Sequence, residues 1–170
     1  MVAVPDGMER GGGEDSTATR VPGCGLTGKS LAELAVGMTA SVTKAYGEWD
    51  ILTFAAVTGD LNPAHVDEAF AQESIFHGKV AHGLLTASLI SAVLGTTLPG
   101  PGTIYLSQDL KFRRPVRIGD TITATVEVTE LIEEKNLVRL KTTCTNQRDE
   151  VVLEGTALVM PPKGKMTNVQ

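Results

Sequence analysis

Asp60 and His65 stand five positions apart in the run Thr58-Gly59-Asp60-Leu61-Asn62-Pro63-Ala64-His65, and His82-Gly83 follow at the head of a long apolar segment. A carboxylate beside an imidazole can move a water proton: His titrates near neutrality, while Asp can hold the imidazole, activate water or return a proton. Proline disfavours helix at the residue before it, so the Asn62-Pro63 step makes this stretch a bent loop that can aim both side chains into one cleft. Taken alone, the same residues more often form an Asx turn and a surface histidine near a helix start. The rest of the chain favours chemistry.

Gly83 falls in the first turn of the apolar segment, where backbone N–H groups lack intrahelical partners and the macrodipole favours negative charge. Glycine also lets a ligand approach the backbone closely, which makes Gly83 a candidate donor to a developing oxyanion; its plain alternative is close packing. Ser91 lies eight residues beyond Gly83, close to two turns, and its expected task is to orient Asp60. A mid-helix serine commonly does no more than bond back to the preceding turn, and the same holds for Ser88. His77 and His82 could join His65 as metal ligands, but the spacing is poor for one helical face and no cysteine or acidic cluster completes a set, so no metal is expected. His82 is assigned to the helix start, beside substrate, where it satisfies backbone groups. Lys111, Arg113, Arg114 and Arg117 form a basic stretch that serves either as a solvated edge or as a landing site for phosphates.

These residues need a scaffold. Thr39 to Tyr46 reads as a strand; Trp49, Leu52, Ala55 and Ala56 fall at helical spacing before Gly59 supplies a stop, so the Asp/His loop follows a short helix. Asp67 to Glu73 reads as another turn or two of helix, and Ser74 to Lys79 as a loop. Val80 to Leu94 is apolar nearly all round, which predicts a buried helix of roughly 22 Å. Five β-rich runs follow, over 103–108, 110–114, 121–133, 137–147 and 151–160, with turn residues between them, and they predict an antiparallel meander wrapped around the helix. Leu94 and Val159 could line a tunnel in that arrangement or simply belong to its core.

The 170 residues suit one domain, and 42% hydrophobic content supports a core without disulfides or metal. A net charge of −5 and a pI near 5.2 argue against nucleic acid as a partner. Cys24 and Cys144 form no CxxC and no disulfide framework, so a reducing cytoplasm is the expected compartment. No secretory h-region is evident, and polar residues interrupt the longest apolar run, so neither secretion nor membrane spanning is expected. Residues 1–30 hold seven of the 18 glycines with no structural period, and read as a flexible extension to a domain over 31–162, with a tail at 163–170.

The blocks Thr58 to His65, Val80-Ala81-His82-Gly83-Leu84-Leu85-Thr86-Ala87-Ser88-Leu89-Ile90-Ser91, Leu98-Pro99-Gly100-Pro101-Gly102-Thr103-Ile104-Tyr105 and Lys111-Phe112-Arg113-Arg114-Pro115-Val116-Arg117-Ile118-Gly119-Asp120 occur in one order. Together they resemble the (R)-specific enoyl-CoA hydratases of the MaoC-like, hotdog-fold superfamily, strongly over 54–120 and more weakly over 30–161. The resemblance implies an α+β hotdog fold, a long central helix wrapped by a curved antiparallel β-sheet. It implies that Asp60 and His65 form the catalytic dyad, that Gly83 donates its N–H to a thioester oxygen, and that Ser91 supports the site. Asn62, beside substrate, mainly shapes the loop; His82, Leu94, Lys111 and Arg113 are the remaining candidates for substrate contact. It further implies an acyl-CoA substrate, no separate cofactor because coenzyme A is part of that substrate, and a homodimer with the acyl pocket between subunits, with higher oligomers left open. The competing readings are a 3-hydroxyacyl dehydratase acting on coenzyme A or acyl carrier protein thioesters, a thioesterase, which the Asp/His loop disfavours, and a non-catalytic acyl-thioester-binding hotdog subunit.

Overall fold

The computed structural model describes residues 28–163. The N-terminal Gly-rich extension up to residue 27, Cys24 included, and the tail from residue 164 lie outside the described residues. A strand β1 (Thr39–Ala45) leads into three helices, α1 (Glu48–Thr58), α2 (Pro63–Val66) and α3 (Glu68–Glu73), and then the central α4 (Gly83–Thr96). Four strands complete the chain: β2 (Ile104–Phe112), β3 (Thr121–Ile132), β4 (Leu137–Thr145) and β5 (Val151–Met160). They form one antiparallel sheet in the order β1-β3-β4-β5-β2. The two apolar runs on either side of Asp109 are one strand, β2, which carries a register irregularity between Tyr105 and Ser107.

The simple meander holds only for β3, β4 and β5. β2 leaves its sequence neighbour β3 and pairs instead with β5 at the far edge. The connection from Arg113 to Asp120 is too long for a tight hairpin. It is also engaged elsewhere, because Val80 bridges Arg117 and the Ala81 N–H donates to the Val116 carbonyl at 2.7 Å. That engagement brings the basic stretch back to the start of α4. It also explains why the helix begins at Gly83 rather than Val80: the backbone of residues 80–81 is spent on this bridge.

Alternation along β3 turns Ile122, Ala124, Val126 and Val128 toward the core, and Leu89, Ile90, Val93 and Leu94 of α4 meet them there. Burying such side chains stabilises the fold by about 1.5–3 kcal/mol each. Tyr46, buried just after β1, donates its hydroxyl to the Leu85 carbonyl at 3.2 Å and so ties the sheet to the first turns of α4. Cys144 donates its thiol to the Thr86 carbonyl, and burial pushes that thiol up to about 12. It is a core side chain, not a nucleophile.

The all-round burial expected of α4 is not met within one chain. A curved sheet covers a helix on its concave side only, and Leu84, Ser88 and Ser91 are left exposed on the other. A similar difference appears in α1, where Ile51 and Ala55 are the buried residues and Trp49 is exposed. No helix among the described residues is long and apolar enough to cross a membrane.

At Gly155 the backbone of β2 leaves no room for a side chain. A Cβ built there would stand 1.9 Å from the carbonyl oxygen of Asp109 on β2, a backbone atom that cannot step aside. Gly155→Ala is therefore expected to part β2 from β5 and to cost about 3 kcal/mol. Urea unfolding should show the midpoint falling; an unchanged midpoint would mean that the sheet yields locally.

Candidate active site

The motif around Asp60 is a chain of local hydrogen bonds. Gly59 ends α1 in the left-handed conformation (φ 76°), which glycine adopts without penalty. Thr58 Oγ1 donates to the Phe54 carbonyl at 2.7 Å and accepts the Asp60 N–H at 3.2 Å. Asp60 Oδ1 accepts the Asn62 N–H at 3.2 Å, and Asn62 Oδ1 accepts the Ala64 N–H at 3.1 Å, capping α2 with Pro63 in its first turn. His65 follows on α2. Asn62 thus shapes the loop, as expected, and it also reaches the cavity wall.

His65 Nδ1 lies 2.8 Å from the Val80 carbonyl oxygen. A carbonyl only accepts, so Nδ1 carries the hydrogen and Nε2 of the neutral ring holds the free lone pair. His82, 2% exposed, stacks on His65 with ring centroids 3.9 Å apart, and its Nε2 is 3.0 Å from the backbone oxygen of Asp60. Asp60, His65 and His82 each bring a side-chain ligand-type atom into a group that lies within 4.8 Å. This convergence is more than the sequence spacing implied. His77 is not part of it.

These groups open on a cavity of about 570 Å³, within the range of small-molecule sites. One wall is the Asp60–His65 loop, the floor is the turn from Val80 through Gly83 to Thr86, and the opposite wall runs from Phe112 to Val116, with Phe76 and Val152 beside it. Gly83 is the first residue of α4, its N–H is bonded to no carbonyl among the described residues, and the 14-residue helix behind it adds its dipole. A Cβ at Gly83 would stand 2.6 Å from Cε1 of Phe112, so the aromatic ring lies directly against the glycine.

The remaining sequence candidates are placed as follows. Ser91 is exposed, forms no hydrogen bond with Asp60 and does not line the cavity. Eight helical residues leave it about 80° round the helix from Gly83 and about 12 Å further along. Leu94, 1% exposed, belongs to the core between α4 and the sheet, as does Val159. Lys111 faces a separate polar depression with Asp109, Lys141 and Glu154. Arg113 does reach the cavity rim, but its guanidinium is paired with Glu154, whose carboxyl it holds below the usual range. Arg114 is likewise engaged, donating to the Val151 carbonyl at 2.8 Å.

Phe112 and Thr86 are cavity residues that motif reading did not select. Thr86 could have been found from its place three residues after Gly83, one turn on and on the same side. Phe112 had no comparable signal, because its contact with Gly83 depends on how β2 crosses the start of α4.

Comparison with known proteins agrees with this fold. A family model described as MaoC like domain matches residues 29–152, which take in the loop, the central helix and most of the sheet. An (R)-specific enoyl-CoA hydratase of Rhodospirillum rubrum is 56% identical over 126 residues, covering 74% of this chain and 87% of the relative. A 3-hydroxybutyryl-CoA dehydratase of Methylorubrum extorquens is 54% identical over 131 residues, 77% and 83% of the two chains. Among solved structures, the unliganded R-hydratase PhaJ1 of Pseudomonas aeruginosa superposes with a TM-score of 0.78 at 44% identity, over 85% of this chain and 94% of that one.

Proposed function

The chain belongs to the MaoC-like domain family, and on that footing we propose that it is an (R)-specific enoyl-CoA hydratase, a hydro-lyase that adds water reversibly to a trans-2-enoyl-CoA. The observation that carries the reading is the approach of the Asp60 and His65 side chains on the wall of the same cavity that holds the open N-terminus of α4.

The thioester carbonyl takes the Gly83 N–H, which draws electrons from the conjugated double bond and makes C3 electrophilic. A water between Asp60 and His65 gives one proton to the pair as its oxygen bonds to C3. The C2–C3 π electrons move into an enolate that Gly83 stabilises, and the pair returns a proton to C2. Net addition of one water leaves a 3-hydroxyacyl-CoA, with both new bonds on the face turned toward the dyad. The same groups in reverse dehydrate it. Acid/base help supplies about 10²- to 10⁴-fold and an oxyanion donor about 10²- to 10³-fold. Coenzyme A enters as part of the substrate, and no step calls for a metal or a further cofactor.

A homodimer completes the arrangement. The outer side of α4 is bare within one chain, and β2 is an edge strand carrying exposed Ile104, Tyr105, Leu106 and Phe112, which supports a second copy adding along that edge. Light scattering should give twice the 17.9 kDa chain mass.

The assignment is tested by incubating the protein with crotonyl-CoA, following loss of the enoyl-thioester absorbance, and coupling the product to dehydrogenases specific for the R or the S alcohol. Absorbance loss with response from the R-specific enzyme alone is the expected result. Absence of turnover with crotonyl-CoA and with longer enoyl-CoA would remove the assignment.

Gly83→Ala keeps the backbone N–H but adds a methyl where the carbonyl must approach it, and is expected to lower kcat/KM about 10²-fold, the scale of a misplaced reacting group. The new methyl would stand 2.6 Å from Cε1 of Phe112 and drives that ring out of its position against Gly83. Thermal stability should fall only slightly, since the atoms the methyl meets belong to one aromatic side chain and not to backbone. Adding Phe112→Ala should recover part of the activity in steady-state assays; a double variant no better than Gly83→Ala would mean that the methyl itself blocks the carbonyl.

A further inference from the structure

We propose that His82 is a positioning residue that fixes the two members of the dyad relative to each other, an inference that rests on the hydratase reading. Its ring is 2% exposed and lies between His65, at a centroid distance of 3.9 Å and 35° between planes, and Phe54, at 5.0 Å and 52°. Its Nε2 lies 3.0 Å from the backbone oxygen of Asp60. Since a carbonyl only accepts, Nε2 carries the hydrogen, and His82 holds the Asp60 backbone while its ring face holds the His65 imidazole.

Two further features separate this role from ordinary helix-start packing. His82 occupies the N-cap of α4 yet makes no side-chain cap hydrogen bond, although the N–H groups of that first turn are there to be capped and Ser, Asn or Asp would serve better. Its Nδ1 is enclosed with no partner, an arrangement that costs stability. Both are explained by a side chain turned away from its own helix toward a residue 22 positions earlier.

Asp60 needs that tie. Its other hydrogen bonds are the two local ones to Thr58 Oγ1 and the Asn62 N–H, each 3.2 Å long and exposed to solvent. His65, by contrast, is already held by the Val80 carbonyl, two residues before His82. The segment from Val80 to His82 therefore grips both halves of the dyad, one through a backbone oxygen and one through an imidazole. A displacement of one reacting group by about 1 Å costs on the order of 10²-fold in rate, which sets the size of the expected effect.

Two variants divide the contacts. His82→Phe keeps an aromatic face for His65 but has no donor for Asp60; His82→Gln keeps an amide donor at comparable reach. With crotonyl-CoA, His82→Phe is expected to lose about 10²-fold in kcat with KM nearly unchanged, and His82→Gln to recover at least about ten-fold of that loss. Parental kcat in His82→Phe, or His82→Gln no better than His82→Phe, would overturn the proposal, as would a loss confined to KM. A measurement independent of turnover uses ¹⁵N NMR of the imidazoles in the parent protein: His82 is expected as the Nε2–H tautomer and His65 as the Nδ1–H tautomer. The opposite tautomer at His82 would overturn the positioning role while leaving the hydratase reading intact, whereas a parent protein without turnover removes the hydratase reading and this proposal with it.

Discussion

Asp60→Asn is expected to lower kcat for crotonyl-CoA hydration about 10³-fold while leaving the protein folded. The substitution changes little in shape: an asparagine Oδ1 can still accept the Asn62 N–H, and the backbone oxygen that His82 holds is untouched. What it removes is the carboxylate, one of the two groups of the pair that can carry a proton. Asp60 is exposed in the single chain, so its burial contributes little to stability and the unfolding free energy should change by no more than about 0.5 kcal/mol. Steady-state kinetics with a parallel urea melt checks both halves. Parental kcat would take Asp60 out of the chemistry.

The second large effect is at His65, where chemistry and structure can be separated. His65→Ala removes the imidazole with its free Nε2, the hydrogen bond to the Val80 carbonyl and the ring that packs on His82, so a kcat loss of about 10²- to 10⁴-fold should come with a stability loss of about 1 kcal/mol or more. His65→Asn is the informative companion. Its side-chain amide can donate to the Val80 carbonyl much as Nδ1 does, but nothing occupies the place of Nε2. Most of the stability should therefore return and none of the activity. If the two residues act as one unit, the Asp60→Asn/His65→Asn double variant should be hardly worse than either single one. Multiplicative losses would mean that the two residues act in separate steps.

The dyad was legible in the sequence because its determinants are local. A helix stop at Gly59, an Asn cap and a proline in the first turn of α2 require only neighbours in the chain, and residue types alone imply them. The central helix was legible from its nearly continuous apolar run, and the strands from their β-rich residues and the turn residues between them. What escaped depends on how distant segments meet. β2 pairs with β5 because the stretch from Arg113 to Asp120 is drawn back to Val80 and Ala81, and no local pattern encodes that. The Phe112 ring reaches Gly83 by the same crossing. The basic stretch looked free for phosphates because sequence shows charges but not their partners, and Glu154 and Glu150 come from another strand and its preceding loop. The expectation for Ser91 rests on counting turns, where the angle left over after two turns decides which residues face the cavity, and Leu94 is turned into the core by the one-sided cover of the sheet. His82 was seen as a helix-start residue; its reach to Asp60 spans 22 positions and could not be read from spacing.

The claim at the centre of this account is that one pair of side chains, on one wall, both receives the water proton and supplies the C2 proton. Hydrating crotonyl-CoA in D₂O and determining the product configuration by NMR tests it most directly. A single deuterium at C2, on the same face as the new C3 oxygen, in a product of R configuration at C3 is the expected result. Deuterium on the opposite face, or distributed over both, would mean that water and proton arrive from different walls and would contradict the Asp60/His65 mechanism.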